Sequence, residues 1–185
     1  MLKTIIVILA AISLSFESNS QITKGNLMLG GNINYSSTNF NSENFGVPHK
    51  YYSLQIKPNI GYFFVDKFAA GLKVGINKEG EKANNYTDFN VGPFIRYYFL
   101  HPEKKINILT EANYQYGFLG IPLSNNTSTS KNSFALSAGP VFYFNTSVGL
   151  EFLVSYSTYK FSGIKGSNNT IMFGLGLQVH LEKEK

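Results

Sequence analysis

The chain has 185 residues, a formal net charge of +5, and only 15% charged residues, where ordinary soluble domains carry about 25%. It has no cysteine, so disulfides, thiolate catalysis and a bacterial lipid anchor are excluded. No basic stripe of the kind that binds nucleic acid is present, and the modest positive charge fits a mildly basic solvated surface.

The first element is Lys3 followed by an apolar run from Ile5 to Phe16, then the small polar residues Ser18, Asn19 and Ser20. This reads as a secretory signal peptide over residues 1–20, cleaved before Gln21. A membrane-anchoring helix needs about 20 apolar residues, more than the run supplies. Residues 21–185 then make one domain.

Past residue 21, apolar residues fall on every second position in eight segments, at about 27–35, 52–64, 68–76, 89–99, 106–118, 134–144, 148–156 and 171–181. A period of two predicts eight strands, each with one dry and one wet face. None of the dry positions is charged. The wet parity is mostly glycine, asparagine and serine, with scattered Lys57, Lys73, Arg96, Glu111, Glu151 and His180. Small groups of this kind suit a crowded interior better than a solvated face.

Tight turns are expected at 66–67, 101–105 and 145–147, and longer polar loops at 36–50, 78–85, 120–132 and 162–169. An even number of strands puts both termini on the short-turn side. The stretches PNIGYFFVDKFAAG, VGPFIRYYFLHPEKK and AGPVFYFNTSVGLEF each place a glycine and an aromatic cluster before a tight turn. They predict a girdle of Tyr62, Phe64, Tyr97, Phe99, Phe142 and Phe144 at one level.

Eight alternating strands close either as a soluble ligand-binding barrel, dry inside, or as a membrane barrel, dry outside. An eight-stranded barrel has an interior just wide enough for side chains or one small ligand, so the many large dry residues do not fit within it. Turned outward they form an apolar band, and closure becomes obligatory because an open sheet edge in lipid leaves backbone groups unpaired. Arg96, in the middle of FNVGPFIRYYFL, then faces the lumen; facing lipid at mid-depth it would cost about 2–4 kcal/mol. The expectation is an internal polar network of Lys57, Lys73, Arg96, Glu111, Glu151 and His180 that plugs the barrel, with a bulge at each of Pro93 and Pro140.

The segment IGYFFVDKFAAGLKVG, a glycine- and aromatic-rich strand running into a tight turn, gives the chain its resemblance to a known family. It resembles the small eight-stranded outer-membrane β-barrel proteins, like the transmembrane domain of outer-membrane protein A, and most strongly the barrel domain common in Bacteroidota. The resemblance implies an all-β, antiparallel up-and-down transmembrane barrel in a Gram-negative outer membrane, with short turns in the periplasm and long loops outside. It also implies contacts with outer-membrane lipid, lipopolysaccharide and the barrel insertion machinery. Such proteins tend to end on an aromatic residue, whereas this chain runs through Leu181 into Glu182, Lys183, Glu184 and Lys185.

His49, His101 and His180 fall on a loop, a turn and the lumen, so they assemble no metal site, and no cofactor is expected. The expected role is structural or adhesive, through loops that touch a host or polysaccharide ligand, in a monomer without enzyme activity. The alternatives are a lipid-modifying enzyme using His49, a small porin-like conduit, and a soluble lipocalin-like binding barrel.

Overall fold

The computed structural model describes residues 22–40, 49–80, 85–120, 130–163 and 166–182; the expected signal peptide and the last three residues lie outside them. Eight antiparallel strands form one closed barrel: β1 (Leu27–Phe40), β2 (His49–Val65), β3 (Phe68–Gly80), β4 (Asn85–Tyr98), β5 (Ile106–Gly120), β6 (Ser130–Tyr143), β7 (Val148–Phe161) and β8 (Asn168–Leu181). Each strand pairs with its neighbours in sequence, and β1 closes on β8 from Leu27 opposite Leu181 to Tyr35 opposite Phe173. Beyond Tyr35 and Phe173 the two strands are not paired across the seam.

The period of two holds round the barrel. Ile33, Leu54, Ile95, Phe142 and Leu175 point outward and are exposed, while Asn34, Gln55, Arg96 and Glu111 point inward and are buried. This is the reverse of a soluble ligand-binding barrel, and that alternative is overturned. The six expected girdle residues all lie on the outer face near the turns, with Tyr62 edge-on to Phe64 and Tyr97 edge-on to Phe99, each at 5.1 Å.

The strands run further than the sequence suggests at the end opposite the termini. Residues 36–40, 78–80, 130–132 and 168–169, expected in loops, are strand, so these connections shrink to 41–48, 81–84, 121–129 and 162–167. The link 81–84 is no longer than the turn at 99–105, so the contrast between long loops and short turns is weaker than expected. The start of β1 and the end of β8 lie together on the tight-turn side, where Leu27 faces both Tyr62 and Leu181.

The expected bulges at Pro93 and Pro140 are absent. The β4–β5 ladder passes from Val91 opposite Tyr116 to Phe94 opposite Asn113 without a change of register, and β6–β7 passes from Ala138 opposite Val154 to Val141 opposite Glu151 likewise. Each proline lacks the N–H that a ladder bond needs, so the pairing lapses locally with no extra residue inserted. The glycine before each proline absorbs the close approach: a Cβ at Gly92 would lie 1.9 Å from the Tyr114 carbonyl oxygen, and one at Gly139 only 1.8 Å from that of Phe152. The single register shift lies between Phe63 and Val65, next to the turn in which Lys67 takes a left-handed φ of 66°.

On the turn side, Ile22 is tucked into the mouth of the barrel against Met28, Phe63, Tyr98, Leu109, Val141 and Leu153. The Lys67 amide donates to the Ile22 carbonyl at 2.8 Å, and Gly25, at φ 97°, turns the chain so that its amide reaches the Phe63 carbonyl at 2.9 Å. An apolar layer therefore fills the turn-side end of the lumen.

Gly92→Ala and Gly139→Ala are expected to lower stability by about 1–3 kcal/mol each, because the neighbouring strand has to move off the added methyl. Thermal unfolding of the refolded variants in detergent checks this; unchanged midpoints would mean that the strands part freely there.

Candidate functional site: the polar interior

Above the apolar layer the inward side chains form a charged centre built on Arg96. In the β4–β5 register Arg96 stands directly opposite Glu111, and on an inward face that pairing puts guanidinium against carboxylate. Arg96 donates to Glu111 Oε2 from Nε at 3.1 Å and from Nη2 at 2.7 Å. Its Nη1 reaches Glu151 Oε1 on β7 at 2.5 Å, Gln178 Oε1 on β8 at 3.2 Å and the Tyr98 hydroxyl at 3.2 Å. Lys73 Nζ donates to the other Glu111 oxygen, as does Asn113 Nδ2 at 3.2 Å. Two cations and two carboxylates thus balance, and the ring of Phe94 lies 5.3 Å from Lys73 Nζ and 5.8 Å from Arg96 Cζ.

The small residues of the inner parity make this possible. A Cβ at Gly176 would fall 2.7 Å from Glu151 Oε2, and one at Gly71 would fall 2.8 Å from the Phe94 ring. Phe94 and Glu151 therefore lie over glycines of the neighbouring strand, so the centre packs without spreading the barrel.

A second cluster sits toward the loops. Lys131 Nζ donates to Asp88 Oδ2 at 2.8 Å and to Glu79 Oε1 at 3.5 Å, and lies 4.5 Å from the Tyr159 ring centroid. Asp88 also accepts from Asn77 Nδ2, and Glu79 accepts from the Ser53 hydroxyl at 3.3 Å. Beside this cluster, at the loop end of the lumen, opens a cavity of about 400 Å³, lined by Glu79 and Lys131 together with Gln55, Lys57, Asn77 and Tyr159 among others.

Of the six residues expected in one network, the structure brings together Lys73, Arg96, Glu111 and Glu151. Lys57 does not join them: it borders the cavity and makes no ion pair among the described residues. His180 does not join either. Its ring is caged by Phe63 at 5.3 Å, Tyr143 at 5.8 Å and Tyr98 at 6.0 Å, in the apolar layer below. Inward parity was legible for both, but height within the barrel depends on strand stagger, which the alternation does not encode.

Gln178, Tyr98, Asn113 and the Lys131 cluster were not anticipated. Glu79 and Lys131 lie in the polar stretches taken for loops. The signal available was their parity, which continues the inward faces of β3 and β6.

Of the remaining histidines, His101 is exposed in a turn, 3.9 Å from Glu103, and the side chain of His49 lies outside the described residues. Among the described residues no group of three His, Cys, Asp or Glu is placed to hold a metal ion.

Arg96→Ala would leave Glu111 and Glu151 buried without their main partner, at a cost of about 3–5 kcal/mol. A clearly lower unfolding temperature in detergent is expected, with Arg96→Lys intermediate because a lysine cannot span both carboxylates. An unchanged midpoint for Arg96→Ala would refute the network.

No family model matches the chain, and no curated protein matches it. Solved structures that share its fold include three from bacterial outer membranes. Neisserial surface protein A superposes with a TM-score of 0.62 at 12% identity, covering 84% of this chain and 97% of that one. The N-terminal β-barrel domain of OprF from Pseudomonas aeruginosa gives 0.55 at 14% identity, covering 85% and 98%. The outer membrane enzyme PagL gives 0.51 at 12% identity, covering 82% and 98%. At these identities the likeness is one of fold: the chain is a closed eight-stranded antiparallel barrel of the architecture found in outer-membrane proteins.

Proposed function

We propose that the chain is an integral outer-membrane protein of a Gram-negative bacterium, exported by the signal peptide 1–20, with a sealed lumen and a structural or surface-interaction role at its loop end. The observation that carries this reading is the uncharged outward band. Ile33, Ile60, Leu72, Val91, Ile95, Ile108, Leu136 and Leu175 are exposed on all sides of the barrel, and a water-soluble protein would expose no such continuous belt. Outward rings flank it: the turn-side girdle on one side, and Tyr35, Tyr114, Tyr116 and Tyr156 toward the other.

Strand length agrees. A tilted strand crosses the hydrocarbon with about 9–11 residues, whereas these have 13 to 17, so the surplus at the loop end projects beyond the lipid and carries the Lys131 cluster with it. The resemblance to outer-membrane protein A-like and Bacteroidota-type barrels supports the same reading. The partners proposed are outer-membrane lipid and lipopolysaccharide around the wall, the insertion machinery during assembly, and a host or polysaccharide ligand at the loops.

Sealing follows from the filled layers. Between the loop-side cavity and the turn-side mouth stand the Arg96 centre and then the Ile22 layer, both packed with buried side chains. Planar-bilayer recording is expected to show no stable conductance; steady channels of defined size would favour the conduit reading. Cell fractionation tests the location: extraction by detergent and not by carbonate or salt is expected. The enzyme reading has in its favour only the fold shared with PagL, and fold does not fix function. Acyl transfer or hydrolysis on labelled phospholipid or lipopolysaccharide, lost in His49→Ala, would establish it.

A further inference from the structure

The seam between the first and last strands is zipped at the turns and open at the loops. β1 and β8 pair from Leu27 opposite Leu181 to Tyr35 opposite Phe173. Beyond that point residues 36–40 and 168–172 are still strand, but each segment is held only on its other side, by β2 and by β7. The ladder between β3 and β4, by contrast, runs on to Gly80 opposite Asn85.

The loop-side cavity reaches the wall at this gap. On β2 it is lined by alternate residues, Tyr51, Ser53, Gln55 and Lys57, all of inward parity, as the lining of a lumen has to be. On β8 it is lined by every residue of 168–172, and on β1 by Ser36. Asn169 and Ile171 are of outward parity and exposed, so the cavity passes round the free edge of β8 and opens sideways among the described residues.

On the outer face the same seam carries an apolar groove of about 560 Å³, lined by Ile33, Tyr35, Phe152, Val154, Phe173 and Leu175 among others. Tyr35 and Phe173 are the last residues paired across the seam, so the groove ends where the gap begins. Past them the exposed residues include the polar Ser37 and Asn169, and Tyr35 belongs to the loop-side ring of tyrosines, which sets the gap at the level of lipid head groups.

We infer that groove and cavity form one site for a phospholipid, with an acyl chain along the groove and the head group passed through the gap into the cavity. The inference rests on the membrane reading above, and it leaves the lumen sealed end to end by the Arg96 centre. Lys57 in the cavity wall offers a cation for the head-group phosphate. A phospholipid suits the gap better than lipopolysaccharide does. Its head group stands on a single glycerol, whereas the lipid A disaccharide bears acyl chains on both sugars and would draw hydrocarbon into a polar space.

Because the chain has no cysteine, one introduced thiol can be followed alone. The full chain with Ser133→Cys, a position that lines the cavity, is placed in phosphatidylcholine bilayers doped with phosphatidylethanolamine bearing a maleimide on its head-group nitrogen, and mass spectrometry follows the addition. Reaction is expected at Ser133→Cys and not at Ser137→Cys, which is buried deeper in the lumen. Val154→Trp and Leu175→Trp, which fill the groove from outside, are each expected to slow the lipid's reaction by about tenfold or more, since displacing two methylene groups already costs a factor of that size. A water-soluble maleimide is expected to react with Ser133→Cys equally fast in either background.

No reaction of the lipid at Ser133→Cys, equal reaction at Ser137→Cys, or an unchanged rate in both folded tryptophan variants would each overturn the site. A cavity reached by the soluble reagent alone would likewise overturn it and leave the free edges of β1 and β8 to an added peptide strand. Should the tryptophan variants fail to fold, the contrast between Ser133→Cys and Ser137→Cys decides. A phospholipid with a photoreactive diazirine at its chain end separates this failure from that of the membrane reading. If it marks the wall around Ile95 while the maleimide lipid spares Ser133→Cys, only the site is lost; an unmarked wall overturns both.

Discussion

The constraint on which everything else depends is the interior width of an eight-stranded barrel. Closing the sheet pairs its first strand with its last and forces each strand to send half of its side chains into a space about one side chain across. The large apolar residues do not fit there, so they go outside, which is why lipid is the surround proposed for them. What goes inside is then equally constrained. Where Phe94 and Glu151 point inward, the neighbouring strand presents Gly71 and Gly176.

That geometry stacks the lumen in levels. An apolar level built on Ile22, Phe63 and Tyr98 stands at the turns, a neutralised charge cluster on Arg96 at mid-height, a cavity beside Lys57 above it, and the Lys131 cluster at the loop end. Burying the central ion pairs adds little net stability over an apolar filling. Their effect is on register: Arg96 meets Glu111 only while β4 and β5 pair as they do, and a slip of one strand by one residue would turn its charge outward. The charges therefore penalise the wrong pairing more than they strengthen the right one.

The fold was legible because a period of two survives in all eight segments, and both side and strand number follow from it. The site was legible in one dimension. Parity showed that Arg96, Glu111, Glu151, Lys73, Lys57 and His180 all face inward, but strand stagger decides which of them share a level. It puts His180 among aromatic rings and Lys57 beside the cavity. Inward aromatics such as Phe63, Phe94 and Tyr98 break the polar character of the wet face, so the apolar level at the turns went unseen. Glu79 and Lys131 were hidden for a different reason: strand ends that project beyond the lipid have no need of an apolar outer face, so they look like loop. The prolines marked interrupted ladders, as expected of them, but the glycine before each at positions 92 and 139 removed the need for a bulge.

The outward orientation of the dry parity in lipid is the central claim, and the absence of cysteine makes it directly measurable. Single cysteines at Ile95, Leu175 and Ser137 can be spin-labelled and the barrel placed in phospholipid bilayers, where collision with oxygen and with a water-soluble nickel chelate is compared. The account predicts that labels at Ile95 and Leu175 collide with oxygen and not with nickel, whereas the label at Ser137 is shielded from lipid. Nickel-accessible labels at Ile95 and Leu175 would contradict it.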